Sequence, residues 1–148
     1  MTSTSNLSHF DVVIAGGGMI GSAVALGLAH QGWQVALVES DAVESLLQAS
    51  TPAETVEDFE PRVSAISLAS QRLLAQLGVW SRVQAGRYCD YSEMTVWDGD
   101  GTGRVHFEAA ELHATALGTI VENRHIVRAL FQALADSSVT VFDGVKVN

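Results

Sequence analysis

Between a β-branched run, Phe10 to Ala15, and a stretch of helical length, Met19 to His30, stand Gly16, Gly18 and Gly21 in the spacing G-x-G-x-x-G. Gly32 then offers a left-handed helix cap, and Trp33 to Glu39 is a second β-rich run. Strand, glycine turn, helix and strand within 30 residues predict a βαβ unit with parallel strands. Each glycine has its own reason. Gly16 makes a tight turn, Gly18 has no Cβ to hold a pyrophosphate off the backbone, and Gly21 lets helix and strand approach closely. The free N–H groups and the positive end of the helix favour phosphate at this point. Glu39 stands 18 residues beyond Gly21, close to the roughly 20 expected of an acid that accepts hydrogen bonds from an adenosine ribose. Its charge disfavours a 2′-phosphate. The pattern predicts a dinucleotide site, and since FAD and NAD share it, the spacing leaves both open.

Downstream, Ser40 to Pro61 holds both prolines and keeps no period, which predicts a long connection with one helical turn around Val43 to Gln48. The acids Glu39, Asp41, Glu44, Glu54, Glu57, Asp58 and Glu60 follow one another with no Lys or Arg until Arg62. All except Glu39 read as a solvated face. Ser64 to Leu77 predicts a helix through Ala69, Leu73, Leu74 and Leu77, closed by Gly78, with another short turn of helix over Val79 to Val83. Met94 to Trp97 and Val105 to Phe107 alternate around the glycine-rich stretch 98–103, which predicts a hairpin. Gly118 to Val121 predicts a strand, His125 to Ala135 a helix with Ile126, Leu130 and Leu134 on one face, and Val139 to Phe142 a last strand.

Charge and cysteine content narrow the function classes. Seventeen acids against eight bases give a formal charge of −9, so binding to a phosphate backbone is not expected. The single Cys89 excludes an internal disulfide and a Cys-x-x-Cys zinc site and fits a reducing cytoplasmic compartment. Met1 to His9 is polar without a basic start and is expected to be a disordered tail, and no run reaches the ~18 apolar residues of a membrane span. A soluble protein is expected. His106, His113 and His125 do not stand at metal-ligand spacings and no acid completes a cluster with them, so no metal site is expected. Asp98, Asp100 and Thr102 begin like a calcium loop, but its twelfth position is Ala109 rather than a glutamate. Cys89 reads as a buried or idle thiol, and Trp33, Trp80 and Trp97 as core or hairpin packing.

The runs IAGGGMIGSAVALGLAHQGWQVALVE, PRVSAISLASQRLLAQLGVW, MTVWDGDGTGRVHF and LGTIVENRHIVRALFQAL resemble the N-terminal part of the FAD-dependent hydroxylases of ubiquinone biosynthesis. These are the 2-polyprenylphenol and methoxy-benzoquinol hydroxylase family, a branch of the single-component aromatic flavoprotein monooxygenases. The resemblance extends from Phe10 nearly to the end, and R-V-S-A-I, L-G-V-W and V-E-N are far more specific than the glycine spacing. It implies an α/β, Rossmann-like domain of the glutathione-reductase type that binds FAD, with NAD(P)H as co-substrate and O2 as oxidant, acting on a polyprenylated phenol or quinol. It further implies that Arg62 lies over the FAD pyrophosphate and ribityl chain and that Asn123 reaches the flavin side. On the residues alone, Arg62 could clamp a phosphate bidentately or pair with Glu57, Asp58 or Glu60, and Asn123 could equally cap the following helix.

The expected organisation is a tail over 1–9, an FAD-binding domain over 10–90 and 113–148, and over 91–112 the first hairpin of a β-rich substrate region. Later Asp-Gly and Gly-Asp elements of the family do not occur before Asn148. The chain therefore reads as the first part of a longer protein, with little or no hydroxylase activity by itself. No catalytic acid or base can be assigned in this stretch. A polyprenyl substrate implies a cytoplasmic, membrane-peripheral setting in a complex of ubiquinone-biosynthesis proteins, yet the sequence offers no basic amphipathic helix. The alternatives are a non-catalytic dinucleotide-binding fragment and another FAD-dependent oxidoreductase.

Overall fold

The β-branched run after Phe10 forms strand β1 (Val12–Ala15), and the small-residue stretch forms helix α1 (Met19–His30). Strand β2 (Val35–Val38) follows a cap in which Gly32 takes φ +87° and the Trp33 N–H donates to the carbonyl of Leu28. These elements come from a computed structural model that describes residues 9–48 and 59–147. The expected tail up to Ser8 and the loop residues 49–58, with Glu54, Glu57 and Asp58, lie outside the described residues. The chain divides into two compact units, residues 1–49 with 127–148, and residues 50–126.

The first unit is built on a parallel sheet of order β1-β2-β8, in which β8 is Thr140–Phe142. The register pairs Val12 with Val35 and Ala36 with Thr140. Its core includes Leu26, Val35, Leu37, Leu130, Phe131 and Leu134, all at most 2% exposed, each contributing about 1.5–3 kcal/mol by leaving water. The side of α1 that is buried carries Ser22, Ala25 and Leu26, whereas Ile20 and Val24 of its i, i+4 stripe are exposed. Small residues thus decide how α1 packs. Helix α2 (Val43–Leu47) is the single turn expected after β2.

In the second unit, β3 (Val63–Ser67), β7 (Gly118–Glu122) and β4 (Tyr88–Tyr91) form an antiparallel sheet with β7 in the middle. Gly118 is required there, because a Cβ would lie 2.4 Å from the carbonyl oxygen of Ile66. The start of the expected Ser64–Leu77 helix is corrected: Ser64 to Ser67 are strand, held to β7 by the pairs Ser64↔Val121 and Ile66↔Thr119. Helix α3 (Leu68–Gln76) begins only after Ser67, whose Oγ accepts from the Ser70 N–H at 3.3 Å. Gly78, at φ +73°, closes it, and α4 is Trp80–Gln84. The expected hairpin is present as β5 (Glu93–Trp97) paired antiparallel with β6 (Arg104–Glu108), followed by a 3-10 turn over Ala109–Leu112.

Helix α5 (Asn123–Ala135) starts directly from β7 and buries Ile126, Leu130 and Leu134, as its spacing predicts. Two further expectations are corrected. Trp33 is 50% exposed rather than packed in a core and Trp97, on the hairpin, is 70% exposed, while of the two readings of Cys89 the buried one is corrected, since the thiol is exposed on β4.

Candidate functional site

The turn after β1 starts on the sheet itself, the Gly16 N–H donating to the Val38 carbonyl at 2.8 Å. Gly16 takes φ +97°, a conformation costly to any residue with a Cβ. At Gly21 a Cβ would stand 2.0 Å from the Gly16 carbonyl oxygen, so helix and turn touch through backbone. Around a Cβ at Gly18, by contrast, nothing lies within 4 Å. Gly18 is also the N-cap of α1 and brings no side chain to the first N–H groups of the helix, and the first turn carries no acid. Those donors are available to an anion.

Glu39 leaves the end of β2 and turns back to the glycine loop. Its Oε2 accepts from the Gly17 N–H at 2.5 Å, and its Oε1 from the Asp41 N–H at 2.9 Å and the Ser40 hydroxyl at 3.0 Å. Burial raises the carboxyl pKa, but these donors outweigh it and hold the group below its ordinary value, so Glu39 is ionised at neutral pH. A carboxylate has about four lone-pair sites, and three are spent here. Gly17, outside the expected trio, is constrained as Gly21 is: its Cβ would meet Glu39 Oε2 and Phe131 Cζ at 2.8 Å.

A cavity of about 370 Å³ opens at the same end of the sheet, lined by Ala15, Gly16, Glu39, Ser40 and residues 145–147. The loop after β8 is fastened there by the Val145 N–H on the Glu39 carbonyl at 3.0 Å. Ser40 does not stand out in the sequence, and Lys146 does so only as the single lysine, with nothing to tie it to this site. Their signal is topological, since ligands of open parallel sheets sit at the carboxyl ends of strands, and β8 ends beside β2. The open face over Gly18, the unspent N–H groups and the adjacent cavity suit a phosphate joined to a larger polar body, so the residues present fit a dinucleotide.

Arg62 and Asn123 come together in the second unit. The Asn123 N–H donates to the Arg62 carbonyl at 2.9 Å, and Asn123 Oδ1 accepts from the Ser64 hydroxyl at 2.6 Å. Arg62 itself is exposed. Next to Asn123 the buried carboxylate of Glu122 collects charge: Arg87 Nε donates at 2.9 Å, an Arg124 terminal nitrogen at 2.6 Å and the Glu60 N–H at 2.8 Å, with His125 Nε2 at 3.2 Å. Burial would raise the pKa of Glu122, but the Glu60 N–H and the two arginines bring it down to about 2. Burial lowers the pKa of His125, and the nearby Arg87 and Arg124 lower it further against the pull of Glu122, leaving the ring neutral at pH 7.

The expectation that no acid joins the histidines is corrected. Glu93, His106 and Glu108 converge on one face of the β5–β6 hairpin with ligand atoms within 4.8 Å of one another. Sequence spacing cannot show this, because the cross-strand pairs Glu93↔Glu108 and Thr95↔His106 create it. All three side chains are exposed, and the His106 ring is engaged by Thr95 at 2.8 Å and Glu108 at 3.2 Å, so hydrogen bonding across the hairpin accounts for its place in the grouping. Among the described residues no helix is long and apolar enough to cross a membrane.

No protein-family model matches the chain. It is 44% identical over 126 residues to 3-demethoxyubiquinol 3-hydroxylase of Escherichia coli K12, covering 84% of this chain and 30% of that protein. It is 35% identical over 150 aligned positions to the mitochondrial ubiquinone biosynthesis monooxygenase COQ6 of Rattus norvegicus, covering 99% and 29%. The chain thus resembles ubiquinone-biosynthesis hydroxylases and spans about 30% of the length of these relatives. Among solved structures, PqsL of Pseudomonas aeruginosa aligns with TM-score 0.65 at 18% identity over 95% of this chain and 35% of the other. The flavin-dependent halogenase CmlS aligns with TM-score 0.64 at 21% identity over 97% and 24%. The mixed α/β fold is one shared with flavin-dependent enzymes.

Proposed function

We propose that this chain is the cofactor-binding portion of an NAD(P)H- and O2-dependent flavoprotein monooxygenase that hydroxylates a polyprenylated phenol or quinol ring in ubiquinone biosynthesis. The observation that carries the reading is the glycine turn with Glu39 in the wall of the adjoining cavity, in a chain 44% identical to a demethoxyubiquinol hydroxylase. In this reading the parallel sheet is a Rossmann-like, glutathione-reductase-type half, and its order β8-β2-β1 supports a ligand at the carboxyl ends of the strands. Residues 10–90 and 113–148 serve FAD, and 91–112, which contain the β5–β6 hairpin, begin the substrate region. The protein works in the cytoplasm at the membrane periphery, where a polyprenylated substrate is presented to it.

Bound FAD supplies the electron transfer from NAD(P)H to O2, one oxygen atom entering the ring and the other leaving as water. The chain's own residues bind and orient. The N–H groups at the start of α1 hold the pyrophosphate, which Gly18 admits to the backbone. Glu39 takes a ribose hydroxyl on its remaining lone pair while keeping the Gly17 N–H. Arg62 offers a charged, forked donor to the pyrophosphate and ribityl chain, and Asn123 a carboxamide toward the flavin. No side chain of this stretch is assigned a proton-transfer role. The test is a titration of the purified protein with FAD and, separately, with NAD. Uptake of FAD with the absorbance bands of a bound flavin is expected, and preferential binding of NAD, or no uptake of FAD, overturns the assignment.

A further inference from the structure

Glu122 is 4% exposed, the only acid among the described residues so deeply enclosed, and burying a carboxylate costs several kcal/mol unless it is fully partnered. Its partners come from separate parts of the second unit: Arg87 before β4, Arg124 and His125 at the start of α5, and the backbone of Glu60. Two of these contacts form a reciprocal clip. The Glu60 N–H donates to Glu122 Oε2 at 2.8 Å, and Glu60 Oε2 accepts from the Arg124 N–H at 3.0 Å. Two residues on, the Arg62 carbonyl accepts from Asn123 N–H. Residues 60–62 are thereby laid along residues 122–124, continuing the β3–β7 pairing beyond its last pair, Val63↔Glu122. The segment so placed leads to Arg62, and the strand end that places it leads to Asn123.

We propose that Glu122 is a positioning residue for the cofactor site: its buried carboxylate locks the Glu60–Arg62 segment onto the start of α5 and fixes the place from which Arg62 and Asn123 act. The inference rests on reading Arg62 and Asn123 as FAD contacts. A salt bridge that only stabilised the fold would leave the effect of Arg62 on FAD unchanged, whereas a lock makes that effect depend on Glu122. Residues joined in one network lose independence, and this can be measured.

The experiment is a double-mutant cycle of Glu122→Gln and Arg62→Ala on FAD affinity in the purified protein, together with amide hydrogen exchange. Glu122→Gln is expected to weaken FAD about tenfold, with Arg62→Ala costing about as much alone and less than about twofold more in the Glu122→Gln background. Exchange at Glu60 and Asn123 should rise while that of β1 and β2 is unchanged. Additive losses overturn the proposal, and so does unaltered exchange at Glu60 and Asn123. If the unmodified protein takes up no FAD, the cofactor reading fails and the positioning role with it, while exchange still reports whether the clip itself exists. Should Glu122→Gln lose its circular-dichroism signal, Glu60→Ala, which removes only the reciprocal acceptor, carries the same cycle with the same expected and overturning results.

Discussion

Two glycines of one turn make opposite demands. A Cβ on Gly21 would stand 2.0 Å from backbone, so Gly21→Ala forces turn and helix apart and should destabilise the fold by about 1–3 kcal/mol, read as a lowered Tm. A side chain on Gly18 meets nothing within 4 Å. Gly18→Val, which costs only the poorer N-cap, should lower the Tm less than Gly21→Ala does while weakening FAD by about tenfold or more, measured by fluorescence titration. Equal losses of stability at the two positions would contradict this division of labour. Gly16 and Gly21 were legible in the sequence because local backbone demands them, a left-handed φ at Gly16 and the close approach of Gly21 to the Gly16 carbonyl, while Gly18 and Glu39 were picked out by spacing alone. Gly17, Lys146 and Glu122 were not, because their roles come from contacts across the fold: Gly17 from Glu39 and Phe131, Lys146 from the loop after β8, Glu122 from donors up to 62 positions away.

Among the elements, those bounded by their own punctuation were readable. Helix α1 ends at Gly32, α3 at Gly78, and the β5–β6 hairpin turns through a glycine-rich loop. The boundary inside 64–77 was hidden, because Ser64-Ala65-Ile66-Ser67 carries no breaker and becomes strand only through pairing with β7. Strand β4 was missed for the same reason, its mixed residues being held by Thr119 and its neighbours in β7. Ser67 marks the hidden junction. Ser67→Ala removes the acceptor for the Ser70 N–H and should cost about 1 kcal/mol in urea unfolding, with the slope of the transition unchanged.

At the scale of the whole molecule, acid should act through few groups. Glu122 falls from 4.5 to about 2 on folding. The stability it contributes is therefore complete above pH 4.5 and is lost as pH drops toward 2, amounting to about 3 kcal/mol at about 1.4 kcal/mol per pH unit. Glu39, also lowered, acts in the same direction. The lowered pKa of His125 adds an earlier loss, beginning as pH falls below 6.5, when the unfolded chain takes up a proton that the folded ring resists. Thermal melts from pH 7 to pH 3 should show a falling Tm, and Glu122→Gln should begin lower at pH 7 and fall less steeply. A parallel pair of curves would contradict the assignment to Glu122.

The chain has one lysine, and it lines the cavity beside Glu39. Apart from the amino terminus it is the only primary amine of the chain, so an acylating reagent has a single side-chain address. Its rate of modification becomes an optical or mass-spectrometric gauge of whether the cavity is filled. Under the proposed function, saturating FAD should slow acylation of Lys146 severalfold and leave that of the amino terminus unchanged.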